Sequence, residues 1–302
     1  MKKLIATILS VILLIALAGC GSSDSSSKTN TVPAKQENTN TVPAKTSEPV
    51  KKNEDPTIEE QVVYDQDGIT ITAKSLDLKS FMGPELKLLI ENNTDRAVIV
   101  QARNTSVNGY MVDTVLSADV AAGKKANDGL TIMDSSLKDA GITTIADIET
   151  SFHIFDSDTW NEITDTDLYS IKTSAYEGFE YTFDDSGKTV YENGGIKIVV
   201  KGLAEDSSFM GPEIVLYVEN ESGQDITVQA RDVSVNGFMV QSILSSDVVN
   251  TKHRISGLSL LSSDLKENEI EKIETCEVSF HIFDSNTWNT IADTDPITIS
   301  FE

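Results

Sequence analysis

The sequence has few cysteines, few basic residues and few histidines, and each shortage excludes a class of protein. Two cysteines in 302 residues provide no disulfide framework, so packing alone must stabilise the folded part. Lys and Arg total 24 against 48 Asp and Glu, and the net charge of −24 disfavours nucleic acid and anionic lipid headgroups as partners. Two of the three histidines, His153 and His281, occupy equivalent positions of a repeated segment, and one histidine at each such position makes a poor zinc site.

Long apolar runs are also scarce, and the one at the start is too short to span a bilayer comfortably, which takes roughly 20 residues. Two lysines followed by the apolar run from Leu4 to Ala18 are typical of a secretory signal. The run ends in Leu-Ala-Gly-Cys, which resembles the lipobox of bacterial lipoproteins. The resemblance implies cleavage after residue 19 and a diacylglyceryl group on Cys20. An ordinary cleavable signal with an incidental cysteine is the alternative.

Residues 20–61 are rich in Ser, Thr, Asn, Lys, Glu and Pro and contain almost no large apolar side chain. Such a segment cannot bury enough surface to offset its ordering entropy, so we expect a disordered linker. About 40 such residues have an r.m.s. reach of roughly 35 Å. The sequence therefore predicts a protein held by its lipid on the outer face of the bacterial cytoplasmic membrane and extending into the cell wall.

The rest of the chain contains one domain twice. Phe81–Glu85 recurs as Phe209–Glu213, and Ser151–Ser157 recurs as Ser279–Ser285, at one constant spacing. The predicted domains are residues 62–174 and 189–302, joined by a connector at 175–188.

Both copies are predicted to be all-β. Leu86, Leu88 and Ile90 alternate with other residues, which is the pattern of a half-buried strand, and Asn108-Gly109 predicts a two-residue hairpin turn. About seven short strands in roughly 110 residues indicate an immunoglobulin-like β-sandwich. The order of turns resembles Ig-like domains of unknown function in Gram-positive lipoproteins, a resemblance that implies no established activity.

Paired acidic loops are the best chemical candidate, because calcium takes six to eight oxygen ligands. The candidate calcium ligands are Asp156, Asp158, Asp165, Asp167, Asp284, Asn286, Asp293 and Asp295. Asp is also common in turns, where it accepts backbone hydrogen bonds, so ordinary solvated turns are the alternative. No cofactor other than calcium is expected.

Apolar residues at matching positions of the two copies are candidates for a partner surface or for a cap on the core. They are Phe81, Met82, Trp160, Phe209, Met210 and Trp288. The tryptophans are interpreted either as core caps or as platforms on which a sugar stacks.

No local signature places a base beside a nucleophile, so the chain is predicted not to be an enzyme. The preferred function is binding or adhesion, with an unknown protein or glycan partner and a membrane contact through the lipid anchor. An envelope enzyme or enzyme inhibitor built on a β-sandwich is the alternative, because fold alone does not decide function.

Overall fold

A computed structural model describes residues 55–208 and 210–301. This part of the chain is built almost entirely of strands, with two short helices, so the all-β prediction is confirmed. Neither helix is long and apolar enough to cross a membrane. The predicted signal peptide, Cys20 and most of the predicted linker lie outside the described residues.

The first copy, called repeat 1 below, is formed by eleven strands and one helix. They are β1 (Gln61–Gln66), β2 (Ile69–Asp77), β3 (Glu85–Asn92), β4 (Val98–Val107), β5 (Tyr110–Met111), β6 (Thr114–Val115), β7 (Ser117–Val120), β8 (Lys124–Ile132), α1 (Asp134–Asp139), β9 (Asp147–Asp156), β10 (Glu162–Asp165) and β11 (Tyr169–Lys172).

The second copy, repeat 2, has the same elements in the same order. They are β12 (Lys188–Asn193), β13 (Ile196–Ser208), β14 (Gly211–Asn220), β15 (Ile226–Val235), β16 (Phe238–Met239), β17 (Ser242–Ile243), β18 (Ser245–Val248), β19 (Lys252–Leu260), α2 (Ser262–Glu267), β20 (Thr275–Asp284), β21 (Thr290–Asp293) and β22 (Ile297–Ser300).

Each repeat has two sheets with a core between them. In repeat 1 the first sheet has the order β1-β2-β3-β8-β6, and the second contains β4, β5, β7, β9, β10 and β11. Repeat 2 follows the same plan. One parallel bridge between β5 and β19 joins the second sheet of repeat 1 to the first sheet of repeat 2.

The predicted alternation positions the core. Leu86, Leu88 and Ile90 on β3 are at most 1% exposed, and they pack against Val98 and Val100 of the facing sheet. Repeat 2 has its own equivalent cluster of buried apolar residues. Each repeat therefore buries one apolar face of each of its sheets, as alternation predicts.

The predicted hairpin turn is present in both repeats. Asn108 and Gly109 have φ angles of 49° and 82°, and Asn236 and Gly237 have φ angles of 49° and 87°. Glycine adopts a positive φ without steric cost, and asparagine tolerates it better than most residues.

A buried asparagine links the two sheets of each repeat. The Nδ2 group of Asn92, at the end of β3, donates hydrogen bonds to the carbonyl oxygens of Arg96 and Val120, each at 2.8 Å. Val120 lies on β7 in the other sheet. Asn220 makes the equivalent pair of bonds in repeat 2, to Gln224 and Val248. The asparagine that ends β3 or β14 is thus a connection across the sandwich.

The repeated Phe-Met-Gly-Pro-Glu motif positions the chain beside the end of β8. The carbonyl of Pro84 accepts a bond from the amide of Ile132 (2.8 Å), and that of Met82 accepts one from the amide of Asp134 (3.0 Å). Gly83 lies between them with a φ of 139°, and a Cβ atom there would be 2.1 Å from the carbonyl oxygen of Ile132. Only glycine fits this close approach.

Candidate functional site

The first acidic loop of each repeat uses its leading carboxylate to hold its own backbone. Oδ1 of Asp156 accepts bonds from the amides of Asp158 (3.0 Å) and Thr159 (2.9 Å). Asp284 does the same with the amides of Asn286 and Thr287, both at 2.8 Å. The backbone donors lower the pKa of both carboxyl groups, chiefly through Thr159 and Thr287.

The second acidic loop holds a histidine, a pairing that sequence reasoning missed. Nδ1 of His153 donates to Oδ1 of Asp165 at 2.6 Å, and His281 donates to Asp293 at the same distance. The partners are twelve residues apart, and only the register between β9 and β10 shows that they face each other. Asp165 is therefore oriented by a histidine, whereas Asp156 is oriented by its own backbone.

Within residues 55–208 and 210–301, the one group of three side chains close enough to hold a metal is His153, Glu162 and Asp165. Repeat 2 has Thr290 at the position of Glu162. The side chains of the remaining predicted calcium ligands, Asp158, Asp167, Asn286 and Asp295, are exposed to solvent. Calcium binding by the paired loops stays a prediction.

The two tryptophans lie outside the core in equivalent positions. Trp160 is 72% exposed and Trp288 is 74% exposed. Each indole stacks on a buried phenylalanine, with centroid distances of 5.5 Å to Phe155 and 5.4 Å to Phe283. Both tryptophans have positive φ, near 60°. The core-cap interpretation therefore does not describe them, since each repeat presents an indole to solvent on a fixed base.

The other predicted surface residues are only partly described. Phe81 is fully exposed and Met82 is 45% exposed, whereas Met210 is half-buried. Phe209 lies outside the described residues. The pair in repeat 1 thus forms a small apolar tip beside the Gly-Pro turn and does not close the end of the sandwich.

The two repeats meet through the first hairpin of repeat 1. The amide of His253 on β19 donates to the carbonyl of Gly109 at 3.0 Å. Two ion pairs flank this bridge, Lys252 with Glu149 and Arg254 with Asp113. The contact therefore combines backbone pairing with charge complementarity.

Aromatic side chains fill the centre of this contact. Tyr110 is 4% exposed, and the ring of Phe183, from the connector, stacks on the imidazole of His253 with centroids 3.6 Å apart. Met111, 6% exposed, packs into the apolar core cluster of repeat 2. None of these roles is visible in the sequence, because they depend on the docking of one repeat against the other.

Beside this contact the two repeats enclose a groove of about 650 Å³. Arg103 and Asp165 line it from repeat 1, and Asp225, Arg254 and Trp288 line it from repeat 2. One wall is thus an exposed indole, and the other walls carry charged groups that both donate and accept hydrogen bonds. An aromatic wall and converging polar groups are two of the features by which binding sites orient a ligand.

His253 is buried at the inter-repeat contact in a chain of hydrogen bonds. Its Nδ1 lies 2.7 Å from the hydroxyl of Tyr217, which donates to Glu219 at 3.0 Å. Burial lowers the pKa of His253, which outweighs the opposing effect of Glu219. The neutral imidazole is therefore the form that the folded chain stabilises.

We expect the folded chain to lose stability on acidification through His253. The unfolded chain takes up this proton near pH 6.5, whereas the folded chain resists it, so the unfolded state binds more protons and stability falls as the pH drops. The contribution is complete well above pH 6.5 and is lost as the pH falls from there towards the lowered pKa. Denaturant unfolding of the wild type and of His253→Gln at about pH 7.5 and pH 5.5 measures it. Equal pH dependence in the two proteins would contradict the assignment.

Cys276 is the one cysteine among the described residues, and it is fully buried in the core of repeat 2. Burial raises its pKa to about 12. The thiol is therefore neutral and inaccessible, as expected of a small core residue rather than a nucleophile.

No family model and no curated protein matches this chain. Among solved structures, it is similar to the YadV chaperone, with 11% identity and a TM-score of 0.23 over 75% of this chain and 98% of that one. It is also similar to a Salmonella enterica SafA pilin–SafB chaperone complex, with 9% identity and a TM-score of 0.21 over 72% of this chain and 89% of that one. An Amycolatopsis orientalis exo-chitosanase matches with 13% identity and a TM-score of 0.23, over 72% of this chain and 25% of its own. Scores this low carry no inference about function.

Proposed function

We propose that this chain is a non-enzymatic binding protein of the bacterial envelope, anchored by a lipid on Cys20, and that it binds an uncharged glycan in the groove between its repeats. The observation that carries the proposal is the exposed indole of Trp288 on the wall of a polar groove. A flat aromatic face covers the C–H face of a sugar ring, and charged side chains exchange hydrogen bonds with its hydroxyl groups.

The fixed position of the indole supports this proposal. Trp288 stacks on the buried ring of Phe283, and its backbone amide donates to the carbonyl of Asp284 at 2.8 Å. A platform that is already immobile loses little conformational entropy when a ligand stacks on it. With 74% of its surface exposed, the indole of Trp288 contributes little to packing the core and leaves a face free for a ligand.

The charge of the chain favours an uncharged ligand. The net charge is −24, and the groove is lined by four aspartates, Asp113, Asp165, Asp225 and Asp247, and by two arginines. An anionic polymer would be repelled by this field, whereas sugar hydroxyls bind carboxylate and guanidinium groups equally well.

The second exposed indole, Trp160, extends the proposal to longer chains. It does not line the groove, yet it is held on Phe155 in the same way. A glycan long enough to reach both indoles would bind more tightly through effective concentration.

Fluorescence tests the proposal directly, because the chain has only two tryptophans. In Trp160→Phe the emission comes from Trp288 alone, and titration with neutral N-acetylglucosamine oligomers should give a saturable change. Trp288→Ala, followed by calorimetry, should weaken binding roughly tenfold or more, whereas the matched control Phe81→Ala, an exposed aromatic outside the groove, should not.

Two results would overturn the proposal. The first is the absence of saturable binding, and the second is equal affinity of the wild type and Trp288→Ala. Shortening of the oligomers during incubation would instead favour the envelope-enzyme alternative. If the ligand is a protein, the wild type should bind envelope protein but not the oligomers, and Trp288→Ala should weaken that binding.

A further inference from the structure

The hairpin that joins the repeats exists twice, in the same conformation. In repeat 1 Val107 pairs with Tyr110 and Ser106 with Met111, and in repeat 2 Val235 pairs with Phe238 and Ser234 with Met239. The Asn-Gly turns have matching φ angles. Each copy thus presents an aromatic residue followed by methionine on a preformed hairpin, called the docking hairpin below.

The two docking hairpins differ in what covers them. Tyr110 and Met111 are 4% and 6% exposed, whereas Phe238 and Met239 are 49% and 65% exposed. Repeat 2 covers the first hairpin, and no part of the described chain covers the second to that extent. An exposed aromatic residue next to an exposed methionine is the composition of a protein-binding surface.

The contact inside the chain shows what kind of surface fits a docking hairpin. Two elements cover it: the edge of β19, whose His253 amide reaches the hairpin's Gly109 carbonyl beside the Lys252–Glu149 ion pair, and the connector, whose Phe183 ring packs on Tyr110. The complementary surface is therefore a strand edge in the first sheet of a repeat, with a lysine next to the bridging residue.

Repeat 1 has the same edge, formed by β8. This strand pairs with β3 along its length, but on its other side β6 reaches only Thr131 and Ile132. Lys124 and Lys125, at the positions of Lys252 and His253, are exposed. Within the described chain, that part of β8 is an open edge, which is a template for pairing with another chain.

The flanking charge pair is also retained. Glu277 is exposed beside the second docking hairpin, at the position of Glu149, and Lys124 is at the position of Lys252. Lysines on an open edge normally discourage pairing between identical edges. Opposite an acidic hairpin they favour one specific contact instead.

We propose that the Phe238–Met239 docking hairpin binds the β8 edge of repeat 1 in a second copy of this chain, repeating between molecules the contact that joins the repeats within one. Glu277 of one chain pairs with Lys124 of the next, and the amide of Lys125 binds the carbonyl of Gly237. The two surfaces differ, so the contact is heterologous and adds chains end to end rather than closing a dimer.

The intermolecular contact is weaker than the internal one. Thr72, Leu89 and Lys125 occupy the positions of Val199, Tyr217 and His253, so the receiving face is less apolar. Gln241 and Ala126 replace the Asp113–Arg254 ion pair. We therefore expect reversible, concentration-dependent assembly rather than a permanent oligomer.

Sedimentation velocity of the chain from Gly21 onwards tests the proposal across a wide protein concentration range. The wild type should show a sedimentation coefficient that rises with concentration, and the double variant Phe238→Ser/Met239→Ser should not. Glu277→Lys and Lys124→Glu should each weaken association roughly tenfold, because each places like charges opposite one another.

The combination of the two charge reversals is decisive. A chain carrying both Glu277→Lys and Lys124→Glu should associate like the wild type, because the pair is restored with opposite polarity. Glu192→Lys, the same charge change on exposed β12, is the control and should leave association unchanged. A wild type that stays monomeric at every concentration overturns the proposal. So does a double-reversal variant that associates no more tightly than either single variant. The glycan experiment is independent, since neither Phe238 nor Lys124 lines the groove.

Discussion

Replacing Gly83 by alanine is expected to destabilise the folded chain by at least about 3 kcal/mol. The added Cβ would lie 2.1 Å from the carbonyl oxygen of Ile132 and 2.7 Å from the amide nitrogen of Asp134. Both are backbone atoms, so relief requires β3 and β8 to separate where Pro84 bonds to Ile132. A φ of 139° adds strain of its own.

A second glycine also has a positive φ but lacks the close approach. Gly123 has a φ of 65°, and nothing lies within 4 Å of the position of its Cβ. Gly123→Ala should therefore cost only about 1 kcal/mol. Denaturant unfolding compares the two variants with the wild type, and equal losses of unfolding free energy would contradict the close backbone approach described for Gly83. Gly211→Ala, with the same 2.1 Å approach in repeat 2, should behave like Gly83→Ala.

Replacing Cys20 by alanine is expected to abolish lipidation and lipobox-type cleavage completely, because the lipobox resemblance places the acyl group on the thiol that the variant lacks. The prediction follows from the Leu-Ala-Gly-Cys ending of the apolar run. Two acyl chains are the kind of anchor that holds a protein stably on a membrane, since one chain gives only marginal binding. Mass spectrometry of the purified protein measures both the acyl group and the site of cleavage.

The chain's other cysteine provides the control for this experiment. Cys276 is buried with its pKa raised to about 12, so Cys276→Ala should leave acylation and cleavage intact. A Cys20→Ala protein that is still processed and acylated would contradict the lipobox assignment. Membrane fractionation alone is not sufficient, because an uncleaved apolar segment would also retain the protein at the membrane.

Local features of the fold were predictable because neighbouring residues determine them. The alternation along β3 identifies Leu86, Leu88 and Ile90 as core, and Asn108-Gly109 marks the hairpin, since strand pleat and positive φ are local properties. The His153–Asp165 pair was not predictable in this way. It depends on the register of two strands, which the residues between them do not specify.

The candidate site was predictable only as a set of residues. Trp288 and Asp165 were recognised as repeated surface features, but the groove that both of them line exists because the two repeats dock against each other. The acidic residues had been grouped by their proximity in the sequence. In the structure Asp156 accepts hydrogen bonds from backbone amides of its own loop, whereas Asp165 accepts one from a histidine, because the nearest hydrogen-bond donors differ.

By itself the sequence determined that this chain contains one all-β domain twice, because duplication and alternation are patterns of the sequence itself. It also predicted where the chain is anchored, because the lipobox-like ending is a short local motif. Only the tertiary structure decided which of two equivalent hairpins is covered. Tyr110-Met111 and Phe238-Met239 are nearly identical in sequence and conformation, yet one is buried and the other is open. The difference arises because covering a hairpin requires a complementary strand edge from another domain, and within the described chain repeat 2 supplies that edge to only one of them.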